Sequence, residues 1–277
     1  MSWSFRVIDT GSASAAMNMA LDEAILMEVS QGHSPSTIRF YRWDRPSISL
    51  GYFQRATKEI DFEAIQKKDF DFVRRMTGGR AVLHDRELTY SVTVPDEHEL
   101  AKSSIVESYR KLSLGLQEGF SQLGLHAEVV SLEDEGMREK FKSGDSAACF
   151  DSPSWYELVV EGKKIAGSAQ VRSHGGLLQH GSLLLDLDVD DLFDVLLFRS
   201  EKHKQLLRQD FDERAISVKQ LAHRDVSYEE AKQAFSVGMQ NGLPCSIHPG
   251  SVTEREWTLA HELLQTKYSQ DSWNFRR

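Results

Sequence analysis

The sequence predicts an α/β protein of the α+β kind, a single domain over residues 1–277 with its core at about 33–248. Three observations predict it. Strand-like segments crowd the chain before residue 186, helix-like segments fill most of it from Asp188, and no repeat, low-complexity tract or linker separates them. The expected layout is a sheet made before residue 186 with helices packed on it.

The elements follow in order. Residues 3–9 alternate like a strand. A helix from about Ala13 to Val29 is expected, because Met17, Ala20, Leu21, Ala24 and Ile25 recur at helical spacing and Gly32 can stop it. Residues 36–43 and 47–52 read as strands around Pro46, and Asp61 can cap a short helix ending near Lys68. Residues 71–94 read as strand, glycine turn, strand and strand. Ser104 and Glu107 suggest a capping box opening a helix that Gly124 ends. The charged stretch Leu132 to Asp145 reads as a mobile surface loop. WYELVVEGKKIAGSAQVR reads as a hairpin turning at Glu161-Gly162, and LLQHGSLLLD as a further strand. Capping boxes at Ser227/Glu230 and Thr253/Glu256 open two helices, with a short strand near Cys245 between them.

The 277 residues carry 33 basic and 42 acidic side chains, a net −9, which argues against a general nucleic-acid binder. With 40% apolar residues the chain can bury a sizeable core. The N-terminus lacks the basic and apolar pattern of a signal peptide, and aspartates break the leucine-rich LLLDLDVDDLFDVLLF before it reaches bilayer length. A cytoplasmic enzyme is the expectation. Two distant cysteines make neither a disulfide framework nor a zinc pair.

Three segments carry chemistry. RRMTGGRAVLHD places two glycines between strands, where backbone N–H groups can converge and a ligand can approach the main chain. Arg74, Arg75 and Arg80 could hold a phosphate or carboxylate there; a hairpin with exposed arginines is an equally good reading. It is not a P-loop, since no Gly-Lys-Ser/Thr follows. Cys149, in AACFDSPSW, follows small residues at the edge of the charged loop, where a bulky thioester could reach it; burial as a small hydrophobe is the commoner fate of a free cysteine, and Cys245 fits that fate better. A nucleophilic thiol needs a cation to ionise, and Lys164, ahead of the small residues AGSA, is the leading candidate. Its neighbour Lys163 should point to the other face of the strand.

RRMTGGRAVLHDRELTYS, KKIAGSAQ and QHGSLLL, in that order, resemble the catalytic domain of the biotin and lipoate protein ligase superfamily. CFDSPSWYELVVEGKKIAGSAQ resembles, more narrowly, the octanoyl-[acyl carrier protein]:protein N-octanoyltransferases of LipM type, and the similarity runs over nearly the whole chain. The resemblance implies a core like that of class II aminoacyl-tRNA synthetases: a mixed, mostly antiparallel sheet flanked by helices, with a smaller sheet beside it. It implies that Cys149 carries an acyl thioester and that Lys164 lowers the thiol's pKa. Arg75, Gly78, Gly79 and Arg80 would line the donor's way in. His84, Gly167, Ala169, His180 and Gly181 would wall the acyl pocket or hold its carbonyl oxygen. The implied partners are octanoyl-acyl carrier protein as donor and a lipoyl-domain protein, such as the glycine-cleavage H protein, as acceptor, with no cofactor, metal, nucleic acid or membrane. The rival readings are an ATP-dependent lipoate ligase, an octanoyl amidotransferase acting between lipoyl domains, a thiol hydrolase pairing Cys149 with His84 or His180, and a non-catalytic acyl-carrier-binding module.

Overall fold

Alternation along single strands sorts the side chains into two layers. The computed structural model describes residues 3–131 and 156–277. In the strand Thr37–Trp43, Phe40 joins one buried apolar cluster and Tyr41 another on the opposite face. The strands are β1 (Trp3–Ala13), β2 (Thr37–Trp43), β3 (Ser47–Leu50), β4 (Asp71–Arg74), β5 (Val82–His84), β6 (Glu87–Pro95), β7 (Glu128–Ser131), β8 (Tyr156–Val160), β9 (Lys163–Ser173), β10 (Gly176–Leu184) and β11 (Cys245–Pro249). Eight form one sheet in the order β11-β1-β2-β6-β10-β9-β8-β7, and three form a second in the order β4-β3-β5. In the large sheet only β11-β1 and β1-β2 pair in parallel, so it is mixed and mostly antiparallel.

One face of the large sheet is covered by the helices Ile105–Gln122 and Tyr228–Gly242, which bury Leu112, Leu116, Phe120 and Phe235 against Phe5, Phe40 and Tyr90. The other face carries the helix Ala15–Ser30, α1, and the C-terminal helix Glu254–Leu263, packed through Ile8, Leu21, Ile25 and Ala260. Burial on nearly all sides of α1 also encloses Asn18, Asp22, Glu23 and Glu28, polar groups that must find partners inside the protein. The small sheet has its own core, including Ile48, Leu50, Val82 and Phe211.

Two expectations need correction. The large sheet is not complete before residue 186: β11 pairs with β1, Trp3 opposite Cys245. A parallel partner so distant in sequence leaves no local signal. The glycine segment is not a hairpin either. β4 and β5 lie on opposite sides of β3, so residues 75–81 cross from one edge of the small sheet to the other. The expected turn at Glu161-Gly162 does form, with φ of 52° and 76°. Asp61 caps its helix through Ala64 N–H. The Thr253/Glu256 capping box is complete, whereas Glu107 and Glu230 turn their carboxylates to Arg110 and Arg224.

Candidate active site

β6, β9 and β10 bring the expected residues to the face of the sheet that bears α1. His180 sits opposite Ser91 and Ala169, and Ser182 opposite Thr89 and Gly167. The small sheet closes over them. Between the two sheets lies a cavity, about 420 Å³ of empty space with its open mouth included. Arg75, Gly79, His84, Gly167, Ala169, His180 and Gly181 line it. Met19, Tyr41, Trp43 and Val82 make much of its wall apolar. Gly78 lies beside this set, against Phe53, and Arg80 faces a neighbouring concavity.

The glycine turn is held from within. Arg75 donates to the carbonyls of Ser49, Gly78 and Arg80 at 2.7–2.9 Å. Arg74, fully buried, donates to the carbonyls of Gly51, Tyr52, Gln54 and Asn274, tying the turn to the C-terminal segment. Gly79 has φ of 91°, and a Cβ there would stand 2.8 Å from the Arg75 guanidinium. A Cβ on Gly51 would fall 2.0 Å from the Gly79 carbonyl oxygen, so the two loops touch backbone to backbone.

From Arg75 two parallel relays run to buried carboxylates. In one, Arg75 Nε donates to Thr77 Oγ1 at 3.2 Å, Thr77 meets His180 Nε2 at 2.7 Å, and His180 Nδ1 meets Asp22 at 3.0 Å. In the other, Arg75 Nη1 donates to Ser49 Oγ at 3.1 Å, Ser49 meets His84 Nε2 at 2.7 Å, and His84 Nδ1 meets Glu87 at 2.7 Å. An ionised carboxylate only accepts, so each Nδ1 carries the proton; in a neutral ring Nε2 then accepts from the hydroxyl.

Burial pushes Asp22 up, but Arg39 and His180 outweigh it and hold the carboxyl below its ordinary value. Burial likewise raises Glu87, and His84, Ser182 and Thr89 more than offset it. His180 is pushed down by burial against the pull of Asp22, which favours the neutral ring. Trp43 stacks on His84 with centroids 4.0 Å apart and donates to Thr89 Oγ1 at 2.8 Å. The cavity thus has an apolar wall and two histidines whose orientation is fixed from behind.

A β-bulge sets the lysine. Leu158 pairs with Ala166 and Val159 with Lys164, leaving Ile165 extra. Ile165 and Ala166 both enter the core under the helix Tyr228–Gly242. Strict alternation would put Lys164, three residues from Gly167, on the opposite face; the bulge returns it to the Gly167 face. Lys164 is 3% exposed there. Lys163 turns the other way and donates to the Asp212 carbonyl at 3.0 Å. Cys149 lies outside the described residues. Cys245 is half-buried, its thiol pushed up to about 11 by burial, and it donates to the Met239 carbonyl. Among the described residues no cluster of His, Cys, Asp and Glu could hold a metal ion, and no helix is long and apolar enough to cross a membrane.

Sequence reasoning missed Asp22, Glu87, Trp43, Tyr41 and Thr77. The one available signal was ALDEAIL in α1, two adjacent acids inside a short apolar run. Glu87, three residues after His84 in HDREL, carried none.

A cavity between a large and a small sheet, floored by small residues and closed by a glycine turn, defines a lipoyl ligase-type catalytic domain. The Lipoyl protein ligase A/B catalytic domain family matches residues 14–240. Among solved structures, a bi-partite lipoate protein ligase from Thermoplasma acidophilum superposes with TM-score 0.80 at 28% identity, covering 99% of this chain and 96% of that one. A lipoate-protein ligase A bound with ATP gives 0.78 at 28%, covering 99% of each. The sequence is 54% identical to Octanoyltransferase LipM of Brevibacillus brevis, over 99% of both chains. It is 48% identical to that of Bacillus subtilis, over 99% of this chain and 98% of the relative. The chain belongs to the LipM octanoyltransferases, acyltransferases of protein lipoylation.

Proposed function

We propose that the protein takes octanoyl from octanoyl-acyl carrier protein onto Cys149 and passes it to a lysine of a lipoyl-carrier protein, the glycine-cleavage H protein foremost. The Cys149 thiolate attacks the donor carbonyl; a C–S bond forms, the bond to the pantetheine sulfur breaks, and the pantetheine thiolate takes a proton as it leaves. The acceptor amine then attacks the Cys149 thioester; a C–N bond forms, the C–S bond breaks, and the amine's proton passes to the sulfur. The first exchange is nearly neutral in energy and the second runs downhill to an amide, so ATP has no part.

The observation that carries this reading is Lys164, buried by a β-bulge on the face that holds Gly167 and Ala169. A cation beside a thiol favours the thiolate. Cys245, with its raised pKa, is a poor competitor as nucleophile. The apolar cavity suits a medium-length acyl chain.

The test is acceptor mass after incubation with octanoyl-acyl carrier protein, with and without ATP. Equal octanoylation in both supports the reading. Acylation only from free octanoate plus ATP would replace it with a ligase. Lys164→Ala should raise the pH at which Cys149 reacts with iodoacetamide and slow transfer at least about tenfold, while Lys163→Ala should do neither. A labelling profile unchanged or moved to lower pH in Lys164→Ala removes the role given to that lysine.

A further inference from the structure

The cavity between the sheets has a direction. Strand pairing lines up one residue from each of four neighbouring strands: Gly167 of β9 opposite Ser182 of β10, Ser182 opposite Thr89 of β6, and Thr89 opposite Tyr41 of β2. All four line the cavity. Along this row the side chain grows from none at Gly167 to a full ring at Tyr41, so the floor is open at β9 and shut at β2. Thr89 and Ser182 both donate their hydroxyl protons to Glu87, which leaves the floor between the two ends already satisfied. Burial runs the same way. Ala169 and Gly181 are part-exposed, whereas Tyr41 is fully buried and Met19, which faces the cavity from α1, is 3% exposed. Lys164 stands on the Gly167 face and marks β9 as the reacting end.

The length of the row matches an acyl chain. Neighbouring strands lie about 4.8 Å apart, so the three steps from β9 to β2 span about 14 Å. An extended eight-carbon chain is about 9 Å long, and its last carbon stops about 4 Å from the atoms of a wall. At the shut end two of the three apolar side chains cannot yield. Tyr41 donates to Asp22 at 3.0 Å and lies under the Arg39 guanidinium, 3.8 Å from its ring centre. Trp43 donates to Thr89 at 2.8 Å and stacks on His84. Met19 packs with both, and with Ala15, Val73 and Tyr268. It is unbranched and flexible, so its length and rotamer decide where the end wall stands.

We propose that Met19 is the residue that sets acyl-chain length: the chain lies along the row from Gly167 to Tyr41, and the Met19 side chain stops its last methyl group. This rests on the reading of an acyl-carrier thioester that reacts beside Lys164, and adds to it the residue that measures the chain. A shorter residue at position 19 moves the stop outward by the atoms removed. A bulkier one moves it inward.

The experiment mixes hexanoyl-, octanoyl- and decanoyl-acyl carrier protein in equal amounts with the full-length enzyme and a lipoyl acceptor, and reads the masses of the acylated acceptor. Each preparation reports a ratio, so a lost folded fraction cancels. A methylene too many or too few in a fixed apolar pocket changes kcat/KM by roughly 10–200-fold. The wild type should therefore prefer octanoyl to decanoyl by at least about tenfold. Met19→Ala should raise the decanoyl-to-octanoyl ratio at least about tenfold, and Met19→Phe should lower the octanoyl-to-hexanoyl ratio by a similar factor. Ile25→Ala, a truncation on the same helix that packs with Ile8 and Ala260 outside the cavity lining, should keep the wild-type ratios. Wild-type ratios in either Met19 variant, or an equal shift in Ile25→Ala, overturn the proposal. So does a wild type that takes decanoyl as readily as octanoyl. If the wild type transfers no chain from any of the three donors, the acyl-carrier reading itself fails and takes this proposal with it.

Discussion

The two relays behind the cavity share a plan and differ in how their carboxylates are balanced. Asp22 faces a full cation: Arg39 donates to it at 2.7 Å, with Tyr41 at 3.0 Å and Ser91 at 2.8 Å adding neutral donors. Among the described residues no arginine meets Glu87. His84, Thr89 and Ser182 are its partners, the last two through short hydroxyl contacts. His180 is therefore one support of several for a charge that is already paired, whereas His84 is the main support of its own carboxylate. Two histidines that look alike in position should differ in what their loss does.

The largest expected effect removes the cation. Arg39→Leu leaves Asp22 buried without its ion-pair partner, and breaking such a pair costs about 3–5 kcal/mol. Urea unfolding should show it as a lower midpoint, and a loss under 1 kcal/mol would mean that the hydroxyl donors suffice. Next comes the contrast itself. His84→Leu should cost about 2–3 kcal/mol, because Glu87 keeps only hydroxyl donors, and His180→Leu about 1–2 kcal/mol, because Arg39 still holds Asp22. Equal losses in the same unfolding assay would erase the distinction.

The smallest effect is in pH. The native pKa of His180 is depressed, so the unfolded chain binds a proton near pH 6.5 that the folded protein refuses. Its contribution is full above about 6.5 and falls on acidification, by at most about 1.4 kcal/mol at pH 5.5. Asp22 and Glu87, also depressed, add their losses below about pH 4. His98, lowered by burial, acts in the same direction as His180, so the readout is a difference. The drop in Tm between pH 7.5 and 5.5 should be smaller in His180→Gln than in the wild type. An equal drop would deny His180 its part.

The same contrast shows where the sequence is legible. Local signals hold: the Glu161-Gly162 turn, the Asp61 cap and the helix stop at Gly124 are set by neighbours a few residues away. The motifs gathered most of the cavity wall, since Gly79, His84, Gly167, Ala169, His180 and Gly181 all line it. Partnerships across the fold were silent. Asp22 meets His180 across 158 positions, and nothing in ALDEAIL names that partner. Nor does KKIAGSAQ announce a bulge at Ile165, because a bulge arises from pairing with β8 and not from β9 alone. The face of Lys164 thus needed the register, although its identity did not.

The most direct measurement is peptide mass analysis of the enzyme after octanoyl-acyl carrier protein is added without ATP or acceptor. The account predicts one octanoyl group on the peptide holding Cys149, released by neutral hydroxylamine and absent in Cys149→Ala, which should also lose transfer. An octanoyl group on Cys245, or full transfer by Cys149→Ala, would contradict it.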